Sequence, residues 1–289
     1  TARWQGEAIV AVVANSRAEA EDAAAMVEID WEVLHVAVDA DTALDADTQV
    51  IHESLGDNLA WKRNADFGDV DAAYAAADHV IEDTFIFGRH TGVCLETRGL
   101  VADYESSEEQ LTVWHNNQCP HMIQNILATH YGLEEHRVRV ITRDVGGSFG
   151  IKVHTYADEI TTVGLSVMLK RPVKFIADRL ESFTSDIHAR DHRVKGKIAV
   201  KADGTITAFE IDDLTGVGPY SMYPRTSAIE ANQVVNMIGG PYLFENYRAE
   251  ANVVYQNKAM MCQYRAVGHP IKCAVTEGLV DQAARAVGM

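Results

Sequence analysis

The chain is short of cysteine, short of positive charge and free of long apolar runs. Its cysteines number 4 in 289 residues. Cys94, Cys119, Cys262 and Cys273 are widely spaced and form no CxxC pair, so a zinc or iron–sulfur site built by this chain alone is not expected. Such spacing in a chain of this length suits a reducing compartment, and the expected location is cytoplasmic. Lys+Arg total 25 against Asp+Glu 42, a net charge of −17. That surface repels phosphate backbones and anionic lipid, so neither nucleic acid nor a membrane surface is an expected partner. No stretch of about 18 apolar residues exists to span a bilayer. The opening residues do not read as a signal peptide.

What is present reads as an ordinary globular chain, 47% hydrophobic and 23% charged, long enough for one large domain or two smaller ones. It opens at Thr1 without an initiator methionine and stops at Met289 in a helix-like run, so it is expected to be a piece of a longer protein. "GEAIVAVVA" (6–14) reads as a buried strand, "NSRAEAEDAAAMV" (15–27) as a helix capped by Asn15 or Ser16, and "EIDWEVL" (28–34) as a second strand. Residues 36–65 are Asp-rich and weakly periodic and read as an extended linker. A helix over 69–81 leads into a strand over 80–88, and 99–105 and 110–116 read as paired strands. Pro120 and Gly132 bracket a helix. Further on come a strand at 172–178, a hairpin over 192–216 turning at Asp203-Gly204, a strand at 247–257 and a helix at 274–288. The mixture, without strict alternation, predicts an α+β fold of mixed α/β layers.

The stretch "VRVITRDVGGSFGIKVHTYADE" (138–159) joins a β-branched run to a helix expected near 154–170 through three glycines, Gly146, Gly147 and Gly150. It is no known phosphate loop. A P-loop fails because Ile151 stands five residues after Gly146 and Val153 follows Lys152; GxGxxG fails because Ser148 and Phe149 occupy the second-glycine positions. What remains is a backbone that a ligand can approach closely and a phenylalanine able to wall a planar group. By itself it is equally a tight strand-to-helix turn with Phe149 in the core. Three more segments stand out. "HNNQCPH" (115–121) sets Gln118 at a helix start, "GVCLETRGLVA" (92–102) pairs Glu96 and Arg98 beside a strand, and "MCQYRAVGHP" (261–270) sets Arg265 in a turn. Each has a plain structural reading as a cap, a salt bridge or a surface cation.

Taken in order, "LETRGLVADY", "NNQCPHMIQNILATHYGLEEHRVRVITRDVGGSFGIK", "QYRAVGHP" and the following "TEGLVDQAARAVG" resemble the large, molybdenum-binding subunit of the xanthine oxidase family of molybdenum hydroxylases. "GDVDAAYAAADHVIEDTF" (68–85) is similar to the family's entry into that domain. The resemblance implies the end of an α/β hammerhead domain at 1–35, a linker at 36–65 and a first molybdopterin-binding domain at 66–289. It implies a molybdopterin cofactor, in its cytosine dinucleotide form, that itself holds the molybdenum, so the chain supplies no metal ligand. Gln118 matches the glutamine that hydrogen-bonds an oxo ligand. Phe149 and Gly150 match the loop beside the metal, with Gly147 and Ser148 in the same cradle. Arg265 and Ala266 match the YR-x-x-G turn. Gln118, Phe149 and Arg265 are thus the residues assigned to the chemistry. The family hydroxylates an electron-poor carbon with oxygen from water, here of an N-heteroaromatic or aldehyde substrate. Electrons pass to an iron–sulfur subunit and an FAD subunit, or to domains carrying those centres.

Three departures qualify the match. Val153 stands where purine-acting members carry a glutamate, which counts against xanthine. Ala266 stands where carbon monoxide dehydrogenases carry the cysteine that holds copper. Ser148 replaces the third glycine of GGGFG. The family's base glutamate lies in a C-terminal half with no counterpart here, and neither Glu96 nor Glu159 fits its motif. The fragment alone is therefore expected to be inactive, and a non-catalytic cofactor-binding or assembly module is the alternative reading.

Overall fold

A computed structural model describes residues 1–289. The chain folds as two compact units, one of residues 1–34 and 92–186 and the other of residues 35–91 and 187–289.

The first unit contains helix α1 (Arg17–Ala25). Its cap is Ser16, whose hydroxyl accepts from Glu19 N–H while the Glu19 carboxylate accepts from Ser16 N–H, a reciprocal pair that satisfies two otherwise orphaned donors. The flanking runs 6–14 and 28–34, expected as strands, enter no ladder. An apolar run becomes a strand only where a neighbour takes up its N–H and C=O groups, and none pairs with them. Ile9, Val10, Trp31 and Val33 are consequently exposed.

The unit's sheet uses strands that the periodicity anticipates. In chain order, β3 (Gly99–Glu105), β4 (Gln110–His115), β5 (Val138–Ile141) and β6 (Val173–Ile176) follow β1 (Leu59–Phe67) and β2 (His79–Phe87) of the other unit. The sheet order is β5-β4-β3-β6, with β4–β5 parallel and the other two pairings antiparallel. Leu100, Ala102, Leu111, Val113 and Val138 point to one face. There they meet Ile123, Leu127 and Ala128 of α3 (Pro120–Tyr131) and Val163 of α4 (Ala157–Leu169). Gly132 ends α3 in the left-handed region at φ 67°, where a Cβ is disfavoured. Helix α5 (Arg179–Ser185), not anticipated, carries a capping box between Asp178 and Glu181 that stands in the sequence as D-x-x-E.

Arg98 anchors this unit. Its side chain is fully buried, an expensive position for a charge unless every N–H finds an acceptor. It donates to Asp186 at 2.6 Å, to both oxygens of Asp158 at 2.7 and 2.8 Å, to Glu159 at 3.0 Å and to the Ser185 hydroxyl at 2.9 Å. The Tyr156 ring lies 3.7 Å from its guanidinium carbon. The salt bridge expected between Glu96 and Arg98 does not form, because Arg98 points inward to these carboxylates.

The second unit holds β1 (Leu59–Phe67), β2 (His79–Phe87), β7 (His192–Val200), β8 (Ile206–Val217) and β9 (Asn246–Tyr255) in the order β1-β9-β8-β7-β2. The expected hairpin is β7–β8, turning at Gly204 with φ 87°. The stretch read as a linker ends in β1, an edge strand whose polar composition hid it. Helix α2 (Val70–Ala75) is shorter than expected. Helices α6 (Ile229–Met237) and α7 (His269–Ala286) pack on the sheet. A Cβ on Gly196 of β7 would come within 2.8 Å of Leu279 in α7, so the glycine permits the close helix–strand approach.

Buried inside this unit is His192. Its Nδ1 lies 2.9 Å from Asp213 and 2.8 Å from the Thr215 hydroxyl, and its Nε2 lies 3.7 Å from Glu230. Burial opposes its charge, but Asp213 and Glu230 overcome that and push its pKa up to about 10. The folded state therefore holds the proton more tightly than the free imidazole at 6.5. This contribution to stability is complete below pH 6.5 and is lost as pH rises through 10. Urea unfolding between these limits should show falling stability. His192→Gln should flatten that slope and cost about 3–5 kcal/mol at the acid end, since it strands two buried carboxylates.

Candidate functional site

The glycine loop of the first unit runs from the end of β5 to α4. It begins helically only at a 3-10 turn, Ile151–Val153, and α4 starts at Ala157, later than the sequence suggested. Gly147 and Gly150 take φ of 101° and 97°. Phe149 sits between them at φ 52°, a left-handed conformation that is costly for an aromatic residue and persists only where the surroundings enforce it. Its ring is not core: Phe149 is 45% exposed.

Gln118 closes over this loop. Its backbone N–H donates to Lys152 C=O at 2.9 Å. Its side-chain Oε1 accepts from Gly150 N–H at 3.1 Å and from the Ser148 hydroxyl. The Ser148 oxygen in turn accepts from Lys152 N–H at 3.2 Å. Both donors go to the oxygen, so the NH2 group of Gln118, an exposed residue, keeps its hydrogens for a further partner. Asn116 and Asn117 hold the turn that carries it. Asn116 ties Gly99 N–H to Thr97 C=O, and Asn117 Oδ1 accepts from Cys119 N–H at the head of α3.

Sequence reasoning missed the clamp behind the loop. Glu96 accepts from Lys152 Nζ at 2.7 Å and from Gly146 N–H at 2.8 Å, while its own N–H donates to Gly146 C=O at 3.1 Å. One carboxylate thereby pins both ends of the glycine run. Burial opposes the Glu96 charge, but Lys152 and the Gly146 N–H outweigh it and hold its carboxyl below the usual range. A Cβ on Gly146 would lie 2.5 Å from Glu96 Cβ, so only glycine fits there. Cys94 Sγ donates to Ser148 C=O at 3.4 Å from beneath, and burial pushes its thiol up. The available signal was the lysine ending the "GSFGIK" run, whose partner no local pattern could name.

The structure thus brings Gln118, Gly147, Ser148, Phe149 and Gly150 together in the first unit. Arg265 and Ala266 belong to the second unit, on the turn before α7. There Ala266 and Val267 have φ of 69° and 52°, and Val267 N–H donates to Tyr264 C=O at 2.6 Å. Arg190 donates to Arg265 C=O at 2.5 Å and stands 5.2 Å from the Tyr264 ring centre. Gly268 ends the turn where a Cβ would meet Glu230 C=O at 2.5 Å.

A constrained, solvent-facing amide donor on a glycine cradle suits a group that carries oxygen acceptors and needs close backbone approach. Residues 51–289 match the family described as the molybdopterin cofactor-binding domain. The chain belongs to that family, and with it to the large, molybdenum-binding subunits of the xanthine oxidase type. It is 35% identical over 98% of its length to the nicotine 6-hydroxylase large subunit of Paenarthrobacter nicotinovorans, covering 35% of that protein. It is 32% identical over 89% of its length to the carbon monoxide dehydrogenase large chain of Afipia carboxidovorans, covering 33% of it. Among solved structures, quinoline 2-oxidoreductase from Pseudomonas putida 86 superposes with TM-score 0.91 at 33% identity, over 96% of this chain and 35% of that one. The chain spans about a third of the length of these relatives. No helix is long and apolar enough to cross a membrane.

The clamp sets an expectation for stability. Glu96→Gln should leave the Lys152 ammonium, whose side chain is 2% exposed, without its counter-charge. A loss of about 2–4 kcal/mol in chemical denaturation is expected. Gly146→Ala should destabilise by about 1–3 kcal/mol through overpacking against Glu96.

Proposed function

We propose that this chain is the molybdenum cofactor-binding part of a hydroxylase that oxidises an electron-poor carbon of an N-heteroaromatic compound or an aldehyde. Family membership supports the cofactor class, and the Gln118 amide, held by its oxygen with its NH2 left uncommitted, is the observation that carries the site. When bound, the molybdenum cofactor supplies oxidation of carbon with an oxygen atom taken from water. The chain's part is to hold and orient it. Gln118 donates an N–H to an oxygen acceptor of the cofactor. Gly147 and Gly150 let the backbone come close. Ser148 completes the cradle, and Phe149 walls the reacting face. Arg265 and Ala266 are assigned on their YR-x-x-G motif. The cofactor is of the cytosine dinucleotide form, and the location is cytoplasmic. The finer domain reading is the end of an α/β hammerhead domain at 1–35, a connecting stretch at 36–65 and a first molybdopterin-binding domain at 66–289.

An N-heteroaromatic substrate is favoured over the other options. Nicotine and quinoline, in the names of two similar proteins, are of that class. Buried, aliphatic Val153 offers no carboxylate to a purine, and Ala266 offers no thiolate to copper. Electrons leave to iron–sulfur and FAD centres on partner subunits. Relatives named as hydroxylases and dehydrogenases favour this reading over a non-catalytic module.

The test is molybdenum per mole of the full-length gene product purified from its source, followed by a turnover screen over N-heterocycles and aldehydes. Near-stoichiometric metal with turnover of an N-heterocycle is expected; folded protein free of molybdenum overturns the proposal. Phe149→Ala in that enzyme should lower kcat on the order of tenfold by loosening substrate placement. Because the ring is half-exposed, unfolding free energy should change by less than about 1 kcal/mol. A large loss of Tm with normal turnover would contradict the assignment.

A further inference from the structure

Gly150 N–H is an obligate donor, so the Gln118 atom 3.1 Å from it must be the amide oxygen. Lys152 N–H, 3.2 Å from Ser148 Oγ, is likewise an obligate donor. It occupies an acceptor site on the hydroxyl, which leaves the one hydroxyl hydrogen for Gln118 Oε1. The amide is therefore gripped at its oxygen from two directions. Without the hydroxyl, a single N–H would hold it, and the terminal torsion of glutamine is broad and roughly two-fold. A glycine at this position could make no such bond. The Ser148 backbone is itself fixed, since its C=O accepts from Ile151 N–H at 2.9 Å and from Cys94 Sγ.

We propose that Ser148 is a positioning residue that sets the polarity of Gln118, turning the NH2 end, and not the oxygen, toward an oxygen acceptor of the cofactor. The inference rests on the reading that Gln118 faces the molybdenum cofactor. A flipped amide would set a lone pair against that acceptor and replace attraction by repulsion. The Ser148 hydroxyl bonds only Lys152 N–H and Gln118 Oε1, so its influence on the cofactor passes through the amide.

The test uses the full-length holoenzyme and four variants: Gln118→Ala, Ser148→Ala, Ser148→Thr and the double Q118A/S148A. Two readouts need no substrate. One is the rate of molybdenum loss on prolonged dialysis. The other is the Mo(V) electron paramagnetic resonance spectrum after partial reduction with dithionite. Gln118→Ala should speed metal loss on the order of 3- to 10-fold, the worth of one hydrogen bond, and shift the spectrum. Ser148→Ala should do the same, Ser148→Thr should retain wild-type behaviour, and the double variant should match Gln118→Ala, since the serine acts only through the amide. If Gln118→Ala changes neither readout, the underlying reading fails. If Gln118→Ala acts but Ser148→Ala is silent, or adds its full effect in the double variant, the positioning role alone is overturned. Should Ser148→Ala fail to fold, Ser148→Gly, which also lacks the hydroxyl, decides: a spectrum shifted like that of Gln118→Ala supports the lock, and a wild-type spectrum refutes it.

Discussion

The buried guanidinium of Arg98 is the constraint on which the first unit turns. A charge with no exposure must be neutralised on all sides, and Arg98 recruits Asp158 and Glu159 from the first turn of α4 and Ser185 and Asp186 from the end of α5. Glu159 passes the contact on to His115, 3.4 Å away at the end of β4 and three residues before Gln118. Burial opposes the Glu159 charge, but His115 and Arg98 more than compensate and hold its carboxyl well below the usual range. The start of α4, where the glycine loop ends, and the end of β4, which leads to Gln118, are thus tied to one cation.

On that frame the loop can afford an unfavourable backbone. Phe149 in the left-handed region would relax in an isolated peptide. Here Glu96 holds Gly146 and Lys152, and Gln118 holds Gly150 and Lys152, so the conformation is over-determined. Strain of this kind persists only where tight surroundings enforce it. It also explains why Phe149 is displayed and not packed away.

Much of the fold was legible. Capping residues marked α1 and α3, β-branched alternation marked β3, β4 and β5, and Asp203-Gly204 marked the β7–β8 hairpin. These signals are local, and local physics writes them. The strands expected at 6–14 and 28–34 failed because strand formation is a property of a pair. β1 was hidden for the converse reason, since a polar edge strand earns its place from β9 and not from its own pattern.

The sequence alone determined the ordered motifs, and through their resemblance to a known family it pointed to that family and its cofactor class. Motif order can be read without the fold because it lies in the residue order itself, whereas what each motif does came only from the resemblance. The tertiary structure alone decided which charges meet. Glu96 faces Lys152 across fifty-six positions and Arg98 faces Asp186 across eighty-eight, pairings that no local pattern encodes. It also decided which end of the Gln118 amide the loop holds, a choice made by the direction of two donors.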